Sequence, residues 1–181
     1  DSSSKINNID DLKKNILRSI PTEWNDYDAF ICEPIQVSPA KKIKLIKRGW
    51  KNWIKDPSIL FNKDKHTIKL QFDMFHGYGN LDKAIDLMRS DQKDKFREYV
   101  NNNTKFNPNI MVISKKPILI KWFNELFDWL FKCEKIFGFE NLTGYDTGRL
   151  YAYLSERYLS FWFNEFYKVK SCPWIFFDTS R

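Results

Sequence analysis

The sequence predicts a helix-rich α/β domain built around a small central sheet. Three observations carry this. Apolar residues recur at helical spacing through most of the second half. Stretches with strand character are short and number about three. Hydrophobic residues make up 43% of the 181 positions, enough for a sizeable core. Strands so few and so far apart do not seal both faces of a large parallel sheet. The sheet is therefore expected to belong to a larger one or to lie under helices. The length suits one domain.

Asn8 or Asp10 can cap a short first helix ending near Ser19, with Pro21 behind it. "DAFICEP", Asp28–Pro34, is an apolar run closed by proline and reads as a buried strand. Ser38 and Pro39 open a helix, because serine suits the N-cap and proline the first turn. "HTIKLQFDMFHGYGN" fits two periods. Ile68, Leu70, Phe72 and Met74 alternate as in a strand, whereas Ile68, Phe72 and Phe75 fit a helix ended by Gly77, the preferred reading. Asn80 can cap a helix over "LDKAIDLMRS", and another covers "KDKFREYV". "NIMVIS", Asn109–Ser114, is short, β-branched and bounded by Pro108. A long helix runs from Pro117 to Phe137, with Leu119, Trp122, Phe123, Leu126, Leu130, Cys133 and Phe137 at helical spacing and Gly138 as its stop. The last long helix is "GYDTGRLYAYLSERYLSFWF", Gly144–Phe163, and "PWIFFD" supplies a final strand.

Composition excludes several classes. Charged residues at 29% beside aromatics at 17% argue against disorder. No run of about 18 apolar residues could cross a membrane. The first residues lack the basic and apolar regions of a signal peptide. Cys32, Cys133 and Cys172 form no C-x-x-C pair, so buried free thiols in a reducing, cytoplasmic compartment are expected, with no metal ligands assigned. Neither a G-x-G-x-x-G nor a Walker sequence is present. The net charge of +7 equals the charge of Lys41–Lys55 alone, which holds seven basic residues and no acid. The basicity is thus local and marks a surface. Ile43, Ile46, Trp50 and Trp53 fall opposite most of these lysines, the pattern of an interfacial membrane contact at the inner face of the membrane. A solvated helix packing its apolar face is the competing reading. No nucleic-acid fold signature accompanies the basic stretch, so nucleic acid is not an expected partner.

Four constellations could carry chemistry. On the last helix, Arg149, Tyr153, Glu156 and Ser160 share one stripe at i,i+3 and i,i+4 spacing, with Arg157 on a neighbouring face and Leu150, Leu154, Tyr158 and Phe161 on another. A carboxylate near an arginine beside aromatic walls suits polyhydroxyl binding or general-base work. The same stripe could be a structural ion pair. In "FDMFHGYGN", Asp73 and His76 are candidates, His76 at a helix end where imidazole can hold a phosphate or a sugar hydroxyl. His66 has less context and reads as a surface residue. Asn107 and Asn109 flank Pro108 at the mouth of a strand, where amides bind hydroxyls or shape a turn. Asp26-x-Asp28 could hold a divalent cation, but it precedes its strand rather than ending one, which favours a strand-initiating turn.

"YDAFICEP", "FHGYGNLDKAIDLM", "FNPNIMVISKK", "WFNELFDWLFKCEKIFG" and "GYDTGRLYAYLSERYLSFWF" occur in an order that resembles a family of bacterial glycosyltransferase-like proteins. These are linked to capsule and O-antigen polysaccharide synthesis, and the family was long catalogued as a domain of unknown function. The resemblance is carried by about residues 71–163. It implies a GT-A-like domain, or its C-terminal portion. Such a domain moves a sugar from a nucleotide sugar, with Mn or Mg as the accompanying metal, to a growing glycan or lipid-linked acceptor. His76, Asn109, Arg149, Glu156 and Arg157 match the family's blocks. On this reading Glu156 is a catalytic base or acceptor ligand, and Arg149 orients it or binds a donor phosphate. His76 meets phosphate or leaving group, Asn109 holds a sugar hydroxyl, and Asp73, Tyr153 and Arg157 line the substrate. The family's upstream "GL-HYRR"-like element and nucleotide-binding strands are not in this sequence. The 181 residues are thus expected to form a single glycosyltransferase-like domain lacking that part. The rival reading is a non-catalytic carbohydrate-binding or assembly module of a polysaccharide synthesis complex.

Overall fold

The computed structural model describes residues 21–37 and 42–174, together with Asp10, Lys13 and Ser19. The helix expected to end near Ser19, the Ser38–Pro39 helix start and most of "PWIFFD" lie outside the described residues. The rest form a helix-rich α/β fold with a small mixed sheet.

Strand β1, Ala29–Cys32, is buried along its whole length. Four apolar residues without alternation suit a central strand covered on both faces. It sits between β4 (Val112–Ser114) and β5 (Val169–Cys172). The β4 pairing is antiparallel, with Phe30 opposite Ile113. The β5 pairing is parallel, with Cys32 opposite Cys172. β5 precedes the expected final strand at Pro173–Asp178 and has no counterpart among the expected strands. "VKSC" is half polar and only partly buried, so it gives little hydrophobic signal. A second, two-stranded antiparallel sheet joins β2 (Ile35–Gln36) to β3 (Lys105–Phe106).

The helices are α1 (Lys42–Arg48), α2 (Trp50–Lys55), α3 (Ile68–His76), α4 (Asn80–Asp86), α5 (Ser90–Asn102), α6 (Lys116–Phe137), α7 (Gly144–Gly148) and α8 (Leu150–Phe166). α3 settles the ambiguous stretch as helix. The Thr67 hydroxyl accepts from the Leu70 amide at its start, and Gly77 takes φ 102° at its end. α4 stops at Asp86, earlier than its apolar pattern predicts, and Asn80 is its first residue rather than its cap. The single helix expected over Gly144–Phe163 is two. Arg149, at φ −103° and ψ 22°, breaks the ladder between α7 and α8.

α8 runs through the middle of the core. Leu150, Leu154, Tyr158, Phe161, Trp162 and Phe163 are all buried. They meet Phe96 of α5, Trp122 and Trp129 of α6 and Phe72 of α3. Phe96 packs edge-on against both Trp129 (5.9 Å, 87°) and Tyr158 (6.0 Å, 82°), the arrangement that ring quadrupoles favour. α6 buries Trp122, Leu126, Trp129 and Cys133. Phe123, expected to point inward, instead stacks with Phe127, which in turn stacks with Phe131, on the solvent side.

Ala29 and Ile31 face this core. The pleat turns Phe30 the other way, where Trp24 stacks on it at 3.9 Å. A cavity of about 470 Å³ remains on that side, bounded by Trp24, Phe30, Met111, Ile113 and Trp174. One face of the sheet therefore lies under helices and the other keeps an apolar groove. His66, expected at the surface, is buried, with Nε2 2.8 Å from the Ile59 carbonyl oxygen. The loop that carries Ile59 folds over it, a tertiary effect with no local sequence signal.

Candidate functional site

The site forms where the end of α3, the short α7 and the first turns of α8 meet the carboxyl end of β1. Asn107 is the pin. Its side-chain Nδ2 donates to the Cys32 carbonyl oxygen at 2.6 Å. Its Oδ1 accepts from the Ser160 hydroxyl at 2.6 Å, and its backbone N–H donates back to that hydroxyl at 3.0 Å. The Tyr99 hydroxyl lies 2.8 Å from Ser160 Oγ and completes the set. Ser160 thus belongs to a buried structural network rather than to the stripe expected with Arg149. Pro108 follows, its carbonyl accepting from the Cys32 thiol, and Asn109 turns the chain with φ 63°. Asn is one of the few side chains that tolerate this left-handed conformation. "NIMVIS" therefore yields strand only from Val112, and Asn109 lies exposed in a turn with its backbone amide facing Glu156.

Glu156 and Arg157 are adjacent on α8. Arg157 is only 2% exposed. Its Nη1 donates to Glu156 Oε2 at 2.8 Å and to the Tyr153 carbonyl oxygen at 3.3 Å, and its Nη2 donates to Gln71 Oε1 at 2.9 Å. Its guanidinium lies over Phe106 at 4.2 Å and near the Phe72 and Tyr153 rings. Its Nε is buried with no partner among the described residues. Burial lowers the Arg157 pKa to about 10, against the opposing pull of Glu156, and it stays charged at neutral pH. Burial raises the Glu156 pKa, while Arg157, Arg149 and the Asn109 amide oppose the rise. The Glu156 side chain is 16% exposed. Its ion-pair partner is thus Arg157 and not, as the stripe suggested, Arg149.

His76, at the end of α3, places Nδ1 2.9 Å from the Asp146 carbonyl oxygen of α7. A carbonyl only accepts, so Nδ1 carries the hydrogen and Nε2 is left as an acceptor, without a partner among the described residues. The ring stacks on Tyr153 at 3.8 Å and meets Phe72 edge-on. Burial pushes its pKa down to about 4, with the Arg157 charge adding to the effect. The imidazole is therefore neutral at neutral pH. Arg149 is exposed, donates to the Tyr145 hydroxyl at 2.7 Å, and spans the Tyr145 and Tyr153 rings. Arg48 of α1 closes one side by an ion pair with Asp146 at 3.0 Å.

Of the residues singled out in the sequence, His76, Asn109, Arg149, Tyr153, Glu156 and Arg157 come together. Asp73 does not join them. Its carboxylate is held by Lys69 at 2.9 Å and by the Gly79 amide at 3.0 Å, so it shapes the turn after α3. Asp28 accepts from the Lys168 amide at 3.1 Å and anchors β1 to the entry of β5, which is the strand-initiating role. Among the described residues, no three His, Cys, Asp or Glu side chains converge as metal ligands. Gln71 and Tyr145 escaped the sequence reading. Gln71 had no local signal at all. The burial of Arg157 had one: Leu150, Leu154, Arg157 and Phe161 recur at core spacing.

A family model described as a domain of unknown function (DUF4422) matches residues 13–168. The chain belongs to that family. The matched span of this DUF4422 chain contains every residue of the cluster, from Gln71 to Arg157. Comparison with curated proteins and with solved structures returned no match. No helix among the described residues is long and apolar enough to cross a membrane.

Proposed function

We propose that this chain is the catalytic or acceptor-side part of a GT-A-like glycosyltransferase of surface-polysaccharide synthesis. It would move a sugar from a nucleotide sugar to a growing polysaccharide or lipid-linked glycan. The observation that carries the reading is the Glu156–Arg157 pair. It is a half-buried carboxylate with a raised pKa, fixed by a buried guanidinium beside the stacked His76–Tyr153 wall. It stands by the carboxyl end of β1, where open α/β sheets bind their ligands.

In this reading Glu156 accepts the proton of an acceptor hydroxyl as that oxygen bonds to the anomeric carbon. The bond from that carbon to the diphosphate oxygen breaks, and its electron pair leaves with the nucleoside diphosphate. Arg149 meets the departing phosphate, which suits an exposed guanidinium already held by Tyr145. His76, neutral and presenting an acceptor, takes a sugar hydroxyl rather than a phosphate. Asn109 and the Tyr153 ring bound the sugar. A non-catalytic carbohydrate-binding module is favoured by one observation, that two sizeable cavities among the described residues lie away from this cluster. One is beside the sheet, and the other, of about 430 Å³, is at Tyr99, Phe161 and Asn164.

A panel of nucleotide sugars, with and without manganese, tests the reading by thermal shift and by release of nucleoside diphosphate. Stabilisation and turnover by one donor are expected. Glycan binding without turnover of any donor points to the binding module.

A further inference from the structure

Leu45 fastens α1 to the body of the protein. It is buried with Leu70 and Met74, and a Cβ added at Gly49 would reach the Met74 side chain at 3.5 Å. The apolar residues on the other side of these two short helices are not packed. Ile43 is 65% exposed, Ile46 50%, Trp50 49% and Ile54 58%. Phe61, which follows the turn packed on α2, is 86% exposed, the highest of the large apolar side chains described. The reading in which this amphipathic segment hides its apolar face is therefore wrong for Ile43, Ile46 and Trp50. Around the stripe stand Lys44, Lys47, Lys51 and Lys55, all exposed, and no acidic residue interrupts them before Asp56. Lys51 and Lys55 also lie over the Tyr78 ring.

We infer that α1 and α2 form a docking face for an anionic lipid surface, with Ile43, Ile46, Trp50 and Ile54 entering the headgroup boundary and the lysines meeting lipid phosphates. Apolar side chains pointing outward among cations match the interface of a charged membrane on both counts. Nucleic acid offers phosphates but no apolar layer to receive three isoleucines. A second copy of the chain would bring the same uncompensated cations against themselves in an isologous contact. α6 supplies the contrast. Its exposed Phe123, Phe127 and Phe131 stand among both signs of charge, Lys121, Asp128 and Lys132, and the last two pair with each other at 2.6 Å. The inference is independent of the glycosyltransferase reading.

The test is co-sedimentation of the full chain with phosphatidylcholine vesicles, with and without phosphatidylglycerol. Binding is expected only with phosphatidylglycerol, and it should weaken as salt is raised. K44Q/K47Q/K51Q should lower partitioning roughly 100-fold, at about fivefold per neutralised cation. I43S/I46S/I54S should also abolish binding with the lysines intact, and F127S/F131S should leave it unchanged. Circular dichroism and thermal unfolding confirm that each variant folds. Absence of binding to anionic vesicles overturns the inference. So does equal binding to neutral ones, or a folded isoleucine variant that binds as the wild type does. Light scattering that shows a dimer dispersed by I43S/I46S/I54S would assign the face to a second copy instead.

Discussion

Two charged networks lie on different sides of α8, and they are built to opposite standards. On one side Glu125 of α6 accepts from Gln92 Nε2 and Trp162 Nε1 at 2.7 Å each. The Tyr158 hydroxyl donates to Gln92 at 2.8 Å, and Arg89 stands 3.9 Å from the second carboxylate oxygen. On the other side Arg157 Nε and His76 Nε2 have no partner among the described residues, although Glu156 is no more than slightly more exposed than Glu125. A buried network with every donor placed fixes a core. One that leaves donor and acceptor capacity unused is a candidate for ligand contact. The first therefore should fail in stability when cut, and the second in ligand handling.

Glu125→Ala should show the largest stability loss, about 4 kcal/mol, because it strands buried donors from Gln92 and Trp162 together. Urea unfolding measures this. Arg157→Met comes next, at about 3 kcal/mol, since Glu156 is left without its cation while the aliphatic stem is replaced. If Arg157→Met cost as much as Glu125→Ala and left sugar-donor binding intact, the two networks would be equivalent and the distinction would fall.

His76 gives a pH signature of about 2–3 kcal/mol. Its folded pKa of about 4 lies below the ordinary 6.5, so the unfolded chain binds more protons between those values. Its stabilising share is present above pH 6.5 and is lost as pH falls towards 4. Glu156, with a raised pKa, acts in the opposite sense and favours the folded state as its carboxyl protonates. Unfolding of wild type and His76→Phe across this window isolates the histidine, and the variant's curve should be flatter. Asn109→Gly has the smallest effect, a gain of about 0.5 kcal/mol, because glycine adopts φ 63° more readily. Its donor affinity should nevertheless fall. Unchanged affinity would remove Asn109 from the sugar contacts.

The elements that were legible in the sequence are those fixed by local spacing. β1 and α6 each follow from an unbroken apolar pattern and a Gly or Pro at the boundary, whereas α3 fits two periods and was marked as helix chiefly by Gly77. β5 was missed because its strand character comes from pairing with β1, about 140 residues earlier in the chain. The site was half legible. The residue types were visible, but the partnership of Glu156 with Arg157, and of Arg157 with Gln71, depends on α3 lying across α8. The break at Arg149 was hidden because Gly148 sits inside a stretch that otherwise reads as continuous helix.

The most direct measurement is turnover of the nucleotide-sugar panel by wild type and by Glu156→Gln, with thermal unfolding of both. Glutamine keeps the shape and can still accept from Arg157 but leaves that buried guanidinium without its anion, so unfolding should change by about 2 kcal/mol while turnover falls about 100-fold or more. A folded Glu156→Gln protein that turns over donor as fast as wild type would contradict the assignment of this cluster as the site.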